Sequence, residues 1–119
     1  ADDRFDMQYL GDRDGAAPQL ARARLTPPQV RTAFDQLVDG LRIITAAGWA
    51  HGDLSAYNLL WWEDRLWFID FPQAVDIAAN PTGLDFLHRD VVNVCGWFAR
   101  HGVAEDPDEL FADLLVHWK

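Results

Sequence analysis

The sequence predicts a small α+β domain, mainly helical, with one short β-hairpin. Three observations carry that prediction. Apolar residues recur every three or four positions over 26–48, 84–101 and 107–119, the spacing of one buried helix face. Between the first two of these segments, Leu59-Leu-Trp-Trp62 and Leu66-Trp-Phe-Ile69 flank Glu63-Asp64-Arg65, as the strands of a hairpin flank its polar turn. Half of the 119 residues are hydrophobic, six Trp and seven Phe among them, so a true core is within reach of one domain.

Residues 1–11 read as a short strand ending at Gly11, and the Gly, Asp and Pro content of 11–19 reads as a loop. A helix over 26–48 follows. Thr26 is its cap, Pro27 and Pro28 suit the first turn, and Gln29 completes a capping box. Val30, Phe34, Leu37, Leu41 and Ile44 form its buried face, and Gly48 is placed to end it. Residues 49–58 make a loop, 59–70 the hairpin, and 71–82 a second loop holding Pro72 and Pro81. The helix over 84–101 buries Leu87, Val91, Val94 and Phe98 and stops before Gly102. Asp106-Pro-Asp-Glu109 begins the third helix, whose pattern runs on to 119.

Composition excludes several classes. No apolar run approaches a membrane span, and "ADDRFDMQYLG" lacks the basic start and apolar centre of a signal peptide, so a cytoplasmic setting is expected. One cysteine, Cys95, allows neither an internal disulfide nor a cysteine-based zinc cluster, and its apolar surroundings mark it as a packing residue. A formal charge of -9 argues against direct nucleic-acid binding. Nine of the ten cations are arginine, and the single lysine is Lys119, so no lysine in the body of the chain is available to a phosphate.

The hairpin creates a constellation. Asn58 lies just before its first strand and Asp70 ends its second; pairing at about 4.8 Å brings those ends together. Asp53, five residues before Asn58, reaches the same place. Two carboxylates and an amide oxygen are hard ligands suited to Mg²⁺ shared with phosphate oxygens. Asp-x₄-Asn, a hairpin and then Asp is the phosphotransfer arrangement of kinase catalytic lobes, with the first Asp on the attacking hydroxyl and the other two on metal. The plainer reading is that Asp and Asn here merely shape loops through their own backbone. His88-Arg89-Asp90 spells a kinase signature but falls inside the second helix, with Cys95 where an asparagine is needed. Its charges are expected on the solvated or lobe-packing side of that helix. A metal set of His51, Asp53, His88 and Asp90 lacks any short-spaced ligand pair.

"HGDLSAYNLL" (51–60), "FIDFPQAVD" (68–76) and "GLDFLHRDVVNVCGWFARHG" (83–102) resemble the catalytic lobe of the RIO kinases, atypical protein kinases and ATPases. "MQYLG" (7–11) resembles the family's hinge strand and "AAPQL" (16–20) the segment after it. The resemblance implies a protein-kinase-like C-lobe without its N-lobe, acting with ATP and Mg²⁺ in a longer parent. It implies Asp53 as the catalytic-loop residue, Asn58 and Asp70 as metal ligands, and Met7, Gln8, Tyr9 and Leu10 as the adenine-facing hinge. In some members the residue matching Asp70 takes a phosphoryl group transiently. His51, Ser55 and Tyr57 are supporting residues, Ser55 and Tyr57 mainly loop-shaping. Gly52 stands where ordinary kinases carry Arg, and Gln8 replaces the usual hinge glutamate. No Gly-x-Gly-x-x-Gly occurs and no strand lysine is present, so the chain alone is expected to be inactive and to bind ATP weakly.

Two other readings stand beside this one. Small-molecule phosphotransferases of the aminoglycoside or choline kinase type share "HGD", a following Asn and "ID", but usually place His where Ser55 stands. A non-catalytic interaction module is the other, since a lobe without its partner exposes apolar surface and favours a homodimer. The RIO resemblance further implies a protein substrate or a ribosomal precursor as partner.

Overall fold

The computed structural model describes residues 11–12, 15–69 and 74–118. Gly11–Asp12 (β1) pairs antiparallel with Gly15–Ala16 (β2), and a 3-10 turn occupies Leu20–Arg22. The expected hinge residues Met7 to Leu10 lie outside the described residues.

The first helix, α1, spans Pro27–Ala46. Its capping box is complete: Gln29 N–H donates to Thr26 Oγ1 at 3.4 Å, and Thr26 N–H donates to Gln29 Oε1 at 2.8 Å. It stops because Gly48 takes φ 92°, a left-handed turn that L-residues avoid. Val30, Phe34, Leu37, Leu41 and Ile44 are buried on one face.

The second helix, α2, spans Gly83–Arg100, and α3 spans Pro107–His117, started by Asp106, which accepts from Asp108 N–H at 2.8 Å. Phe34 of α1 meets Phe98 of α2 edge-to-face at 5.2 Å, so the three helices share one core. The sequence pattern carries α3 to 119, whereas the helix ends at His117. Trp118 is extended, donates its N–H to Leu114 O, and folds its ring back against the core.

The hairpin is tighter than the sequence suggests. Its strands are Leu59–Trp62 (β4) and Arg65–Phe68 (β5), and Glu63 and Asp64 alone form the turn, at φ 52° and 58°. Two positive φ values make a turn whose twist matches that of the strands. Arg65 therefore joins the ladder opposite Trp62 rather than the break. Leu59, Trp61, Leu66 and Phe68 face the core.

Phe68 lies so close to α1 that a Cβ on Gly40 would sit 2.5 Å from its ring. Beside it, Gln36 donates to Asp64 O at 3.1 Å and accepts from Leu66 N–H at 2.7 Å, and Gln29 donates to Asp64 Oδ1 at 3.1 Å.

Within the segments predicted as loops, Trp49–Ala50 (β3) pairs antiparallel with Val75–Asp76 (β6). Two-residue strands have too little alternation to be read from a sequence. Their effect is topological: they tie the two ends of the 51–74 segment together beneath α2.

Candidate functional site

The loop from His51 to Asn58 crosses between β3 and β4 and is held from three directions. From below, the carboxylate of Asp90 accepts Gly52 N–H at 2.8 Å and Leu54 N–H at 3.0 Å. From the side, Arg89 Nη2 donates to Gly52 O at 2.7 Å. From above, His51 bridges two chain segments. Its Nε2–H donates to Ile69 O at 2.6 Å, which leaves Nδ1 to accept Asp53 N–H at 3.3 Å. His51 and Asp90 are both 0% exposed.

Burial pushes the Asp90 carboxyl above the usual carboxylate range. The Leu54 and Gly52 amides and the nearby Arg89 charge pull the other way. Both oxygens of a carboxyl group carry acceptor lone pairs, so Asp90 can meet both amides at once, which an asparagine with its single acceptor oxygen and donating NH₂ does not. The loop needs that help, because Gly52 has φ 91° and Gly52 and Leu54 are buried with their N–H groups pointing inward.

The residues within the loop shape it further. Ser55 Oγ accepts Tyr57 N–H at 3.2 Å and Ser55 O accepts Asn58 N–H at 3.0 Å. Tyr57 projects outward at 57% exposure. Asn58 Nδ2 donates to Asp53 O, which turns its Oδ1 away from the loop backbone. Ile69 N–H donates to Asn58 O at 3.1 Å, so the chain immediately before Asp70 lies against Asn58. Asp70 itself falls outside the described residues. Asp53 is exposed, and its backbone carbonyl accepts the Asn58 side-chain amide five residues on. Among the described residues no group of three or more His, Cys, Asp or Glu is arranged to hold a metal ion, so the set of His51, Asp53, His88 and Asp90 is not brought together. In it, Asp90 faces the loop amides while His88 Nε2 faces Asp108 at 3.0 Å on the outside of α2.

The expectation that His88-Arg89-Asp90 is a helical segment agrees with α2, but the expected placing of its charges does not hold throughout. Asp90 points into the core and Arg89 reaches the loop. A signal existed: position 90 stands three after Leu87 and four before Val94, on the flank of the buried stripe. An acid there needs a buried partner, and only the fold shows that the partner is a pair of amides 36 and 38 residues earlier. Cys95 is buried, and burial pushes its thiol up to about 11, in keeping with a packing role.

A family model described as the RIO domain matches residues 5–110. The chain belongs to the RIO family. Among its relatives, the RIO-type serine/threonine-protein kinase Rio1 of Thermoplasma acidophilum is 40% identical over 104 residues, covering 87% of this chain and 53% of that protein. Rio1 of Haloferax volcanii is 38% identical over 105 residues, with 88% and 35% covered. Human serine/threonine-protein kinase RIO3 is 35% identical over 100 residues, with 83% and 19% covered. This RIO domain thus spans about half the length of the Thermoplasma relative and less of the others, and its relatives place it in an atypical kinase family.

Proposed function

We propose that this RIO domain supplies the acceptor and metal half of an ATP- and Mg²⁺-dependent serine/threonine kinase or ATPase. The observation that carries the reading is the pinned loop. It presents Asp53 and Asn58 together, with the chain leading to Asp70 fastened to the same loop through His51 and Asn58. Asp53, exposed at the loop surface, orients the hydroxyl of a protein side chain or a water. Asn58 Oδ1 and the carboxylate of Asp70 are the residues that would hold Mg²⁺, and oxygen donors of this kind fit that ion. When bound, Mg²⁺ supplies charge neutralisation for the phosphates. His51 keeps the two arms of the site at fixed spacing, and Asp90 keeps the loop in its active shape.

The only lysine is Lys119, and no glycine-rich phosphate cover is present. On this reading, the lysine and cover that hold the nucleotide come from a kinase N-lobe outside this sequence, and the 119-residue chain alone binds ATP weakly. In the longest natural form of the protein, Asp53→Asn and Asp70→Ala should each remove phosphate release and autophosphorylation. Turnover that survives both substitutions would discard the assignment.

A further inference from the structure

Beside Gly52 lies an open cleft of about 310 Å³, lined by Thr82, Asp85, Phe86 and Arg89. Arg89 is fixed on two sides: Nη2 donates to Gly52 O at 2.7 Å, and its guanidinium stands 4.7 Å from the centre of the Phe86 ring. A guanidinium has five N–H donors in a rigid fork, and the Gly52 bond occupies one nitrogen. Arg31 and Arg42 are each in contact with two carboxylates. Arg89, in contrast, forms no ion pair among the described residues, within a chain of net charge -9. The cation is thus held in place, turned to a cleft, and one peptide unit from Asp53.

We propose that this cleft is an acceptor-side subsite for a carboxylate, so that the preferred protein acceptor carries an acidic residue close to the serine or threonine hydroxyl. The proposal rests on the reading of Asp53 given above and adds a substrate class to it. Arg89 takes the acidic side chain through its remaining donors, the geometry that guanidinium offers to carboxylate. Stacking on Phe86 and the bond to Gly52 pre-order the fork, so little side-chain freedom is lost on binding. Asp85 lines the same cleft and opposes an incoming carboxylate, which sets the affinity at a modest level.

The test is a titration of the ¹⁵N-labelled 119-residue chain with three peptides alike except for the residues flanking one serine: aspartates, asparagines or lysines. The aspartate peptide should shift the Gly52 amide and the Arg89 Nε–H signals saturably, and the asparagine peptide should not. Arg89→Gln should weaken the aspartate peptide about tenfold, and Asp85→Asn should tighten it several-fold. Arg89→Lys, which keeps the charge but not the fork, should fall between Arg89→Gln and the parent. The net negative charge of the chain favours the lysine peptide through non-specific attraction. Shifts at Gly52 and Arg89 with lysine and none with aspartate would therefore overturn the proposal. So would aspartate binding unchanged by both Arg89→Lys and Asp85→Asn, two variants that do not depend on the folding of Arg89→Gln. The titration needs no turnover. Aspartate binding through Arg89 alongside full turnover in Asp53→Asn would remove the catalytic reading and the acceptor role but leave the carboxylate site; loss of turnover with no aspartate binding would do the reverse.

Discussion

Replacing Asp90 by asparagine changes one oxygen to an NH₂ group with almost no change of shape. The carboxylate accepts from two inward-pointing amides, Gly52 at 2.8 Å and Leu54 at 3.0 Å. An asparagine offers its oxygen to one of them and an N–H to the other, so a donor faces a donor. Leaving one buried amide unsatisfied costs about 1–3 kcal/mol, and the surviving bond loses its charge assistance, roughly 1 kcal/mol more. Against this, the desolvation that raises the Asp90 carboxyl is relieved, which offsets part of that loss. The balance is a destabilisation of about 2 kcal/mol, which for a chain of this size lowers the melting temperature by roughly 8 °C. Urea denaturation of the two proteins measures it, and hydrogen exchange at Gly52 and Leu54 locates it. A midpoint shift worth less than about 0.5 kcal/mol, with protection of both amides unchanged, would refute the claim that Asp90 holds the loop.

Two further outcomes follow from the same structure. Gly40→Ala should destabilise by about 1–2 kcal/mol by chemical denaturation, because its Cβ meets the Phe68 ring at 2.5 Å and that overlap exceeds the helix-propensity gain; adding Phe68→Leu should recover most of the loss. The pH dependence of folding should differ between the parent chain and Asp90→Asn in a set direction. A carboxyl raised in the folded state contributes stability that is full below its unfolded value near 3.8 and is lost as pH rises through the folded value. The deficit of Asp90→Asn should therefore grow on acidification through that window, and a deficit that shrinks instead would contradict the raised carboxyl.

The three helices were legible because each carries its own punctuation: Thr26 with Gln29, Gly48, Gly102 and Asp106 are local signals that need no partner. The closure of the hairpin was legible from its two apolar runs, and Ile69 N–H meets Asn58 O as that closure implies, while Asp70 lies outside the described residues. What escaped was non-local. The β3–β6 pair joins residues about 26 apart through two rungs, and a two-residue pattern has no period to detect. The role of Asp90 escaped for the same reason: a buried carboxylate announces that it has partners, but the identity of those partners belongs to the way α2 lies under the loop.

The hairpin itself joins two segments, Leu-Leu-Trp-Trp and Arg-Leu-Trp-Phe, of the apolar and aromatic kind that self-associate as strands when their edges are open. Leu66 and Trp61 form a pair whose backbone groups point outward, away from each other. Trp61 N–H is taken by Pro18 O at 3.0 Å, and Leu66 N–H by the side chain of Gln36. Gln36 also meets Asp64 O, so its amide stands in for one residue of a third strand. Each edge thus meets a group that does not extend a ladder: a short extended segment containing Pro18, bridged at Gln19 to Leu60, on one side and a side chain on the other. The glutamine that docks the hairpin on α1 is by the same contacts a guard against amyloid-like stacking, and its removal would be felt first as loss of solubility.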